Sequence, residues 1–192
     1  MSRWRGVVWR WGARWLQARG LASVATVLER KAAKSGDVTA MHALAKRALA
    51  ENQPDSAREI LTEAIAIAPR MAPLWCSRGV AHRHQFDFAA ARADYEQALE
   101  LDPRYVQALS NLGECHFTEG RYAEALHWLD RALSVVPAFF EARVNRVAAL
   151  YELGQVDEAR VEAEALVSRY PDSPEAWVNL GNILVHVGKA RE

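Results

Sequence analysis

Histidine and cysteine are the residue types in this sequence that most often carry catalysis or hold a metal. His82 and His84 flank Arg83, but side chains two residues apart on a helix point in different directions, so this pair is a poor chelate. Cys76 and Cys115 have no recognisable histidine or acidic partner that would activate a thiol. The sequence also contains no phosphate-binding loop, nucleophile elbow or zinc-protease motif. We therefore expect a non-enzymatic chain with buried, inert thiols, no cofactor and no bound metal.

Asparagine side chains offer a different chemistry, the recognition of a peptide backbone. Asn111, Asn145 and Asn179 are spaced 34 residues apart. Each amide has donors and an acceptor that match the C=O and N–H of an extended chain, and each such bond contributes about 0.5–1.5 kcal/mol. We expect the three side chains to project in a line from successive helices and to bind a peptide. The alternative is that each amide bonds to an adjacent helix.

A line of this kind requires repeated elements, and the sequence repeats every 34 residues. Prolines recur at this interval, as do two sets of alanines and a small residue that is most often glycine. The recurring residues are Pro69, Pro103, Pro137 and Pro171; Ala57, Ala91, Ala125 and Ala159; Ala64, Ala98 and Ala132; and Ala45, Gly79, Gly113 and Gly181, the last set being interrupted by Val147. Four markers in one phase indicate an array of structural repeats.

Each repeat has the pattern of two helices. The spacing of apolar and small residues predicts one helix over Val106–Thr118 and a second over Tyr122–Val135. Gly120 separates the two, and Pro137 interrupts the chain before the next unit because proline cannot continue a helix interior. No alternating β-branched run occurs, so the sequence predicts an all-α fold.

The units resemble tetratricopeptide repeats, whose signature combines Trp, Leu-Gly, Tyr, small Ala, an aromatic residue, Ala and Pro. Two units match the signature well, with Trp75, Gly79, Phe88, Ala91, Tyr95, Ala98 and Pro103 in one and Leu112, Gly113, Gly120, Tyr122, Ala125, Ala132 and Pro137 in the other. The resemblance places repeats at residues 38–71, 72–105, 106–139 and 140–173, and a partial repeat with a first helix only at 174–192. The fourth repeat is the weakest match, because Arg143, Arg146 and Val147 stand where apolar or small residues are usual.

The resemblance implies a right-handed α-solenoid of antiparallel helix pairs whose first helices line a concave groove. It also implies a non-catalytic module that binds a peptide segment or a partner protein. Candidate groove residues are Asn111, Asn145 and Asn179, which resemble the asparagine ladder of the O-linked N-acetylglucosamine transferase solenoid, together with Arg83, His84, Glu114 and Glu152. The carboxylate clamp that such repeats use for chaperone tails is not matched, since its places in the first three repeats hold His42, Lys46, Ser77, Gln107 and Asn111.

The charge distribution and the hydropathy of the sequence further limit the classes of partner that we expect. The chain has 24 basic and 24 acidic side chains, but residues 1–28 contain five arginines and no acid, so the remainder has a net charge of −5. A faintly acidic body argues against nucleic acid as the main partner, because phosphate binding needs clustered Lys and Arg. No run of 18 apolar residues is present, so no membrane-spanning helix is expected.

The amino-terminal residues have their own composition. Residues 1–21 contain four tryptophans and the five arginines, and an acid-free, Arg-rich amphipathic start resembles a mitochondrial targeting sequence. This interpretation predicts cleavage after Leu21, a helix or linker over 22–37 and a mitochondrial, matrix location. The alternatives are a basic helix that stays attached and caps the repeats or rests on anionic lipid, and a cytoplasmic location.

Three functions remain after these exclusions. The first is an adaptor whose groove binds a peptide or protein; the others are a structural subunit of a larger mitochondrial assembly and a regulatory subunit of an enzyme on another chain. The last helix of the sequence favours the second function, a structural subunit. We expect Trp177, Leu180 and Leu184 to pack inside the repeat. This packing would leave the apolar residues Ile183, Val185 and Val187 uncovered. Repeat arrays normally end in a polar cap, so we expect association through this end.

Overall fold

The computed structural model describes residue 31 and residues 33–189 of the 192-residue chain. Within these residues the chain is helical and contains no β-strand, which confirms the all-α prediction. Across the same residues, no helix combines the length and the apolar character needed to cross a bilayer. The predicted targeting segment at residues 1–21, and most of the predicted helix or linker that follows it, lie outside the described residues.

Nine helices follow one another between residues 38 and 189, and the two helices predicted over Val106–Thr118 and Tyr122–Val135 have those bounds. The chain divides into two compact units, the first ending at Pro103 and the second beginning at Arg104. In the first unit the helices are α1 (Val38–Ala50), α2 (Pro54–Ile67), α3 (Ala72–His84) and α4 (Phe88–Leu101). In the second unit they are α5 (Val106–Thr118), α6 (Tyr122–Val135), α7 (Phe140–Glu152), α8 (Val156–Arg169) and α9 (Pro174–Lys189).

In each of the four complete repeats, the first helix joins the second through a turn that contains one left-handed residue. That residue is Asn52, Phe86, Gly120 or Gly154, with φ of 57°, 61°, 74° and 76° respectively. Glycine and asparagine adopt this conformation at little cost, whereas a bulky residue is strained there. The turn after α3 therefore differs from the other three, because Phe86 occupies it with its side chain exposed to solvent.

In the first unit, α1 packs on α2, α2 on α3, and α3 on α4, while α1 also contacts α3. The core between them is formed by side chains such as Met41, Leu61 and Leu74, all below 5% exposed. Gly79 allows α3 and α4 to approach closely, because a Cβ atom at this position would lie 3.0 Å from the Ala91 carbonyl oxygen. The small residues of the repeat are thus the points at which paired helices touch.

The second unit repeats this packing through five helices. Adjacent helices pack in sequence from α5 to α9, and the first helix α7 also contacts the first helices α5 and α9. A Cβ atom at Gly113 would lie 2.7 Å from Leu129 Cγ and 3.3 Å from the Ala125 oxygen, so α5 and α6 meet as α3 and α4 do. Val147, Leu150, Leu166 and Ile183 form the buried core of the last three helices.

A recurring tryptophan contact explains part of the repeat signature. Trp75 Nε1 donates a hydrogen bond of 2.8 Å to the Pro69 oxygen, and Trp177 Nε1 donates one of the same length to the Pro171 oxygen. The proline ends the preceding repeat, and its carbonyl holds the indole at the start of the next first helix. The same local geometry therefore forms in both units.

One expectation about α9 is wrong. Ile183 is 1% exposed and belongs to the core, and Val187 packs partly against the same cluster. Trp177 and Leu184, which were expected to pack inside the repeat, are each about half exposed, together with Val178 and Val185. The uncovered apolar face of α9 is therefore formed by Trp177, Val178, Leu184 and Val185.

Candidate peptide-binding groove

The first helices of the second unit border a cavity of about 240 Å³. One residue of α5, four of α7 and three of α9 line it, and they combine amide, carboxylate and aromatic groups. The lining residues are Phe117, Val147, Ala148, Tyr151, Glu152, Asn179, Asn182 and Ile183. We refer to this space as the second-unit cavity.

Of the predicted groove residues, Asn179 and Glu152 meet in the second-unit cavity. Asn111, Asn145 and Glu114 are half-buried on α5 and α7 and do not line it. The cavity instead adds a second amide, Asn182, one turn from Asn179. Residues with apolar or aromatic groups, such as Phe117, Ala148 and Tyr151, were not identified from sequence, because similar residues also fill the core.

Asn179 is tied to its neighbouring helix. Its Nδ2 atom donates a hydrogen bond of 2.9 Å to the Val144 carbonyl oxygen on α7. One of the two N–H donors of Asn179 therefore bonds to an adjacent helix, which is the alternative that the sequence left open. Among the described residues the amide makes no other hydrogen bond. The side-chain oxygen and the second N–H of Asn179 therefore remain for a ligand.

Two further polar contacts connect neighbouring first helices. The His42 Nε2 atom lies 2.7 Å from Ser77 Oγ between α1 and α3, and Tyr151 Oη lies 3.4 Å from His186 Nδ1 between α7 and α9. Both contacts, like that of Asn179, join residues 35 positions apart. Within each unit, polar side chains of the first helices thus help to fix the spacing of those helices.

The first unit presents a basic surface. Lys46 and His84 are exposed, and Arg83 is half-buried beside His84. Burial and the nearby Lys46 charge lower the pKa of His42 below its ordinary value of 6.5. Arg83 and His84 belong to the first unit, whereas the predicted asparagines belong to the second. The two basic residues therefore form part of a separate surface.

Two arginines in core-facing positions have carboxylate partners that the sequence pattern did not reveal. Arg78 forms a two-point hydrogen bond with Asp94, at 2.8 Å from Nε and 2.7 Å from Nη2, and this bond raises the pKa of Arg78 although burial opposes the rise. Arg146 contacts Asp130, Glu158 and Glu162. These positions hold leucine in the alternate repeats, as Leu44, Leu112 and Leu180.

The described residues contain no group of three His, Cys, Asp or Glu side chains arranged to hold a metal ion. Cys76 and Cys115 are both buried, as predicted from the sequence, and neither forms a disulfide within the described part of the chain. The polar groups that reach the surfaces described above are amides, carboxylates and cations. They are suited to hydrogen bonding and charge pairing with another chain.

Solved structures share this fold at low sequence identity. A thermophilic TPR protein from Thermus thermophilus is 20% identical, with a TM-score of 0.74, and the match covers 94% of this chain and 99% of that chain. A tetratricopeptide repeat protein from Parabacteroides merdae is 17% identical, with a TM-score of 0.76 and coverage of 97% and 75%. YrrB, a TPR protein with an unusual peptide-binding site, is 20% identical, with a TM-score of 0.65 and coverage of 83% and 84%.

Family models agree with these structures. A model described as tetratricopeptide repeat matches residues 42–93 and 85–142, and a second model of the same description matches residues 117–181. A search of curated proteins found no match. Because the two models together cover residues 42–181, the chain belongs to the tetratricopeptide repeat family.

Proposed function

We propose that this chain is a non-catalytic adaptor that holds an extended segment of a partner protein in the second-unit cavity. Proteins of this family generally mediate protein–protein or peptide interactions, and their fold typically serves as an interaction scaffold. The observation that carries the proposal is the meeting of Asn179, Asn182 and Glu152 with aromatic side chains in one cavity along three first helices.

The cavity chemistry suits a peptide backbone with a basic or polar side chain. Asn179 is held by Val144 in a fixed orientation, which lowers the entropy lost when its remaining groups bind a backbone amide. Asn182 is exposed on the next turn of α9 and offers a second amide. Glu152 is also exposed and favours a cationic side chain in the ligand, while Phe117 and Tyr151 supply apolar contact.

Selection of a phage-displayed 12-residue library on the full chain, followed by fluorescence anisotropy with the selected peptides, tests this proposal. We expect Asn182→Ala combined with Glu152→Lys to weaken the peptides at least tenfold. Glu164→Lys, an equal charge change at an exposed position of α8, should leave affinity unchanged. Equal affinity of the folded double variant and the wild type would exclude the second-unit cavity as the binding site.

The amino-terminal composition supports a mitochondrial location for this function. Residues 1–28 contain five arginines and no acid, a pattern typical of import sequences. A fluorescent reporter fused to residues 1–35 should enter mitochondria, and Arg10→Glu with Arg14→Glu should abolish import. A diffuse cytosolic signal from the unmutated fusion would favour the cytoplasmic alternative.

A second candidate function is that of an assembly subunit, and the apolar face of α9 favours it. Trp177, Val178, Leu184 and Val185 are all at least 50% exposed. Gly181 lies in the middle of this face, and among the described residues no atom approaches within 4 Å of a Cβ placed on it. At Gly79 and Gly113 the corresponding face is covered by the second helix of the repeat.

Sedimentation equilibrium at tens of micromolar tests whether the α9 face mediates self-association. We expect association that Leu184→Lys with Val185→Glu abolishes. Ile67→Lys is a matched control, since Ile67 is 55% exposed on α2 but is not part of the α9 face. A monomer under these conditions would leave the α9 face without support as a self-association site.

A regulatory subunit, in contrast, would have to copurify with an enzyme whose activity changes when the chain is removed.

A further inference from the structure

In each of the four complete repeats, one face of the first helix packs against the second helix of the same repeat. We call this the contact face, and α9 has the equivalent residues at the 34-residue interval. From α3 onwards these residues are Trp75, Gly79 and His82; Leu109, Gly113 and His116; Arg143, Val147 and Leu150; and Trp177, Gly181 and Leu184. None of the residues of α3, α5 and α7 in this set is exposed, whereas all three residues of α9 are. The contact face of α9 is therefore not covered by any described residue.

The second helices show what covers a contact face. In α2, α4 and α6 the buried residues follow one pattern, in which a large residue comes four positions after an alanine and three positions before another. These residues are Ala57, Leu61 and Ala64; Ala91, Tyr95 and Ala98; and Ala125, Leu129 and Ala132, all of which are 0% exposed. A helix with this pattern is thus the form that fits a contact face.

The residue at the centre of the contact face determines the size of the residue that packs on it. A Cβ atom at Gly113 would lie 2.7 Å from Leu129 Cγ, so only glycine leaves room for the leucine. In the fourth repeat both positions are exchanged in size, because Val147 and Ala163 replace the glycine and the leucine in one buried cluster. Close packing requires this complementarity. Gly181 therefore calls for a large residue on the helix that covers it.

Charge pairs show the direction in which a second helix crosses the contact face. His82, near the end of α3, lies 4.0 Å from Asp87, which caps the start of α4. Arg78, one turn earlier on α3, pairs at 2.7 Å with Asp94, about two turns later along the chain. The contacts run backwards along α3 and forwards along α4, so the two helices are antiparallel.

We propose that the contact face of α9 binds an amphipathic helix of a partner protein, which takes the place of a second helix of the repeat. The bound helix runs antiparallel to α9 and carries a leucine or an aromatic residue four positions after a small residue and three before another. Its large residue packs on Gly181, between Trp177 and Leu184. This inference rests on the assembly role proposed for the α9 face, and it names the partner of that face.

A helix suits this face better than an extended segment does. An extended chain has backbone N–H and C=O groups that need partners, whereas a helix satisfies most of these groups internally. Trp177 and Leu184 flank Gly181 with apolar surface, and the indole N–H of Trp177 is already donated to the Pro171 oxygen at 2.8 Å. A second copy of α9 would offer a glycine to Gly181, so two contact faces meet less closely than one meets a helix with a large residue.

Fluorescence anisotropy with the full chain tests the proposal. The probe is a fluorescein-labelled peptide with the sequence of residues 121–136, which spans α6. A hydrocarbon staple at the exposed positions of Ala123 and His127 holds the peptide helical, because a helix of this length is marginal in water. We expect saturable binding of this α6 peptide, and binding at least tenfold weaker when its Leu129 is replaced by alanine. No saturable binding below 1 mM would overturn the proposal, as would equal affinity for the two peptides.

A variant of the chain locates the contact. Gly181→Val reproduces the Val147 and Ala163 pair of the fourth repeat, so it should weaken the α6 peptide at least tenfold and should bind the Leu129→Ala peptide more tightly than the wild type does. Ala165→Val adds bulk at an exposed position of α8 and should change either affinity less than twofold. Circular dichroism checks that both variants are folded. A folded Gly181→Val chain with the peptide preference of the wild type would overturn the assignment.

Sedimentation equilibrium with the unlabelled peptides separates this inference from the proposed function. If the chain self-associates through the α9 face, the α6 peptide should dissociate it, and the Leu129→Ala peptide should not. Association through that face that persists at saturating α6 peptide would retain the assembly role and overturn the helical occupant. A monomer that binds the α6 peptide would instead exclude self-association and support the helical occupant.

Discussion

The two units of this chain use the same packing but present different chemistry on their first helices. In the first unit these helices carry cations and no acid, whereas in the second unit they carry Glu114, Glu141, Glu152 and Glu175 together with asparagines. The small residues at the helix contacts, in contrast, are retained in both. The comparison shows that close helix approach constrains a few positions, while the solvent-facing positions are free to specify partners.

The two core-facing arginines differ in how far their carboxylate partners are exposed to solvent. Arg78 in the first unit pairs with Asp94, which is 4% exposed. Arg146 in the second unit pairs with Asp130 and Glu158, whose side chains are more than 50% exposed, and with the more buried Glu162. A buried carboxylate without its partner is costly, but an exposed one is solvated by water.

The largest effect is therefore expected for Arg78→Met. This change leaves Asp94 buried without its cation and should lower the free energy of unfolding by about 3–5 kcal/mol. Arg146→Met should cost only about 1 kcal/mol, because most of its partners can turn to water. Urea unfolding at pH 7 measures both values. If the Arg146 variant lost as much stability as the Arg78 variant, solvent exposure would not explain the difference between the units.

The next effect concerns the glycines at the helix contacts. Gly113→Ala places a methyl group 2.7 Å from Leu129 Cγ and should cost about 1–3 kcal/mol through overpacking. Gly181→Ala meets no described atom within 4 Å and should instead stabilise α9 by about 0.5–1 kcal/mol, because alanine favours a helix interior over glycine. Thermal unfolding followed by circular dichroism shows whether each substitution lowers or raises the stability. A loss of stability in Gly181→Ala would mean that the α9 face is covered in solution.

A smaller effect is expected at the turns. Phe86 has φ of 61° after α3, and Gly120 has φ of 74° at the same place after α5. Phe86→Gly should stabilise the first unit by about 1 kcal/mol because it removes left-handed strain, and Gly120→Phe should destabilise the second unit by a similar amount. Denaturant midpoints of the two variants test this symmetry. A destabilised Phe86→Gly variant would show that the Phe86 ring contact with Phe88, at 6.4 Å between centroids, outweighs the strain.

Much of this fold could be predicted from the sequence, because its markers are local. Glycine, alanine and proline at fixed intervals identify the helix contacts and helix ends, and the bounds of α5 and α6 follow from them. The exposed face of α9 was predicted only in part. Val185 is exposed as expected, but Ile183 and Leu184, which are both apolar, were assigned to the wrong faces. Which of the two is buried depends on which neighbouring helix is present. Helical periodicity alone does not contain that information.

The candidate site was less predictable for a related reason. A 34-residue repeat aligns Asn145 with Asn179, and so predicts a line of equivalent amides. The observed contact joins Asn179 to Val144, at a separation of 35 residues. Hydrogen bonds between neighbouring first helices depend on the axial offset of those helices, which the repeat length does not encode. The same offset relates His42 to Ser77.

The smallest expected effect is the pH dependence that His42 adds to the first unit. Burial, and then the charge of Lys46, lower the pKa of His42 in the folded chain below 6.5, so the unfolded chain binds more protons in the acidic range. The stability contribution of neutral His42 is fully present above pH 6.5 and is lost as the pH falls below 6.5 towards the folded-state pKa. His42→Gln should therefore lose less stability than the wild type between pH 8 and pH 5.5.

Lys46→Gln is the matched test of the cause. It removes the second contribution and should raise the pKa of His42 while burial still holds it below the ordinary value, as an NMR titration of the imidazole Cε1–H resonance would show. A midpoint for the wild type at or above 6.5 would contradict the prediction. Burial and the charge of Lys46 would then not control the protonation of His42.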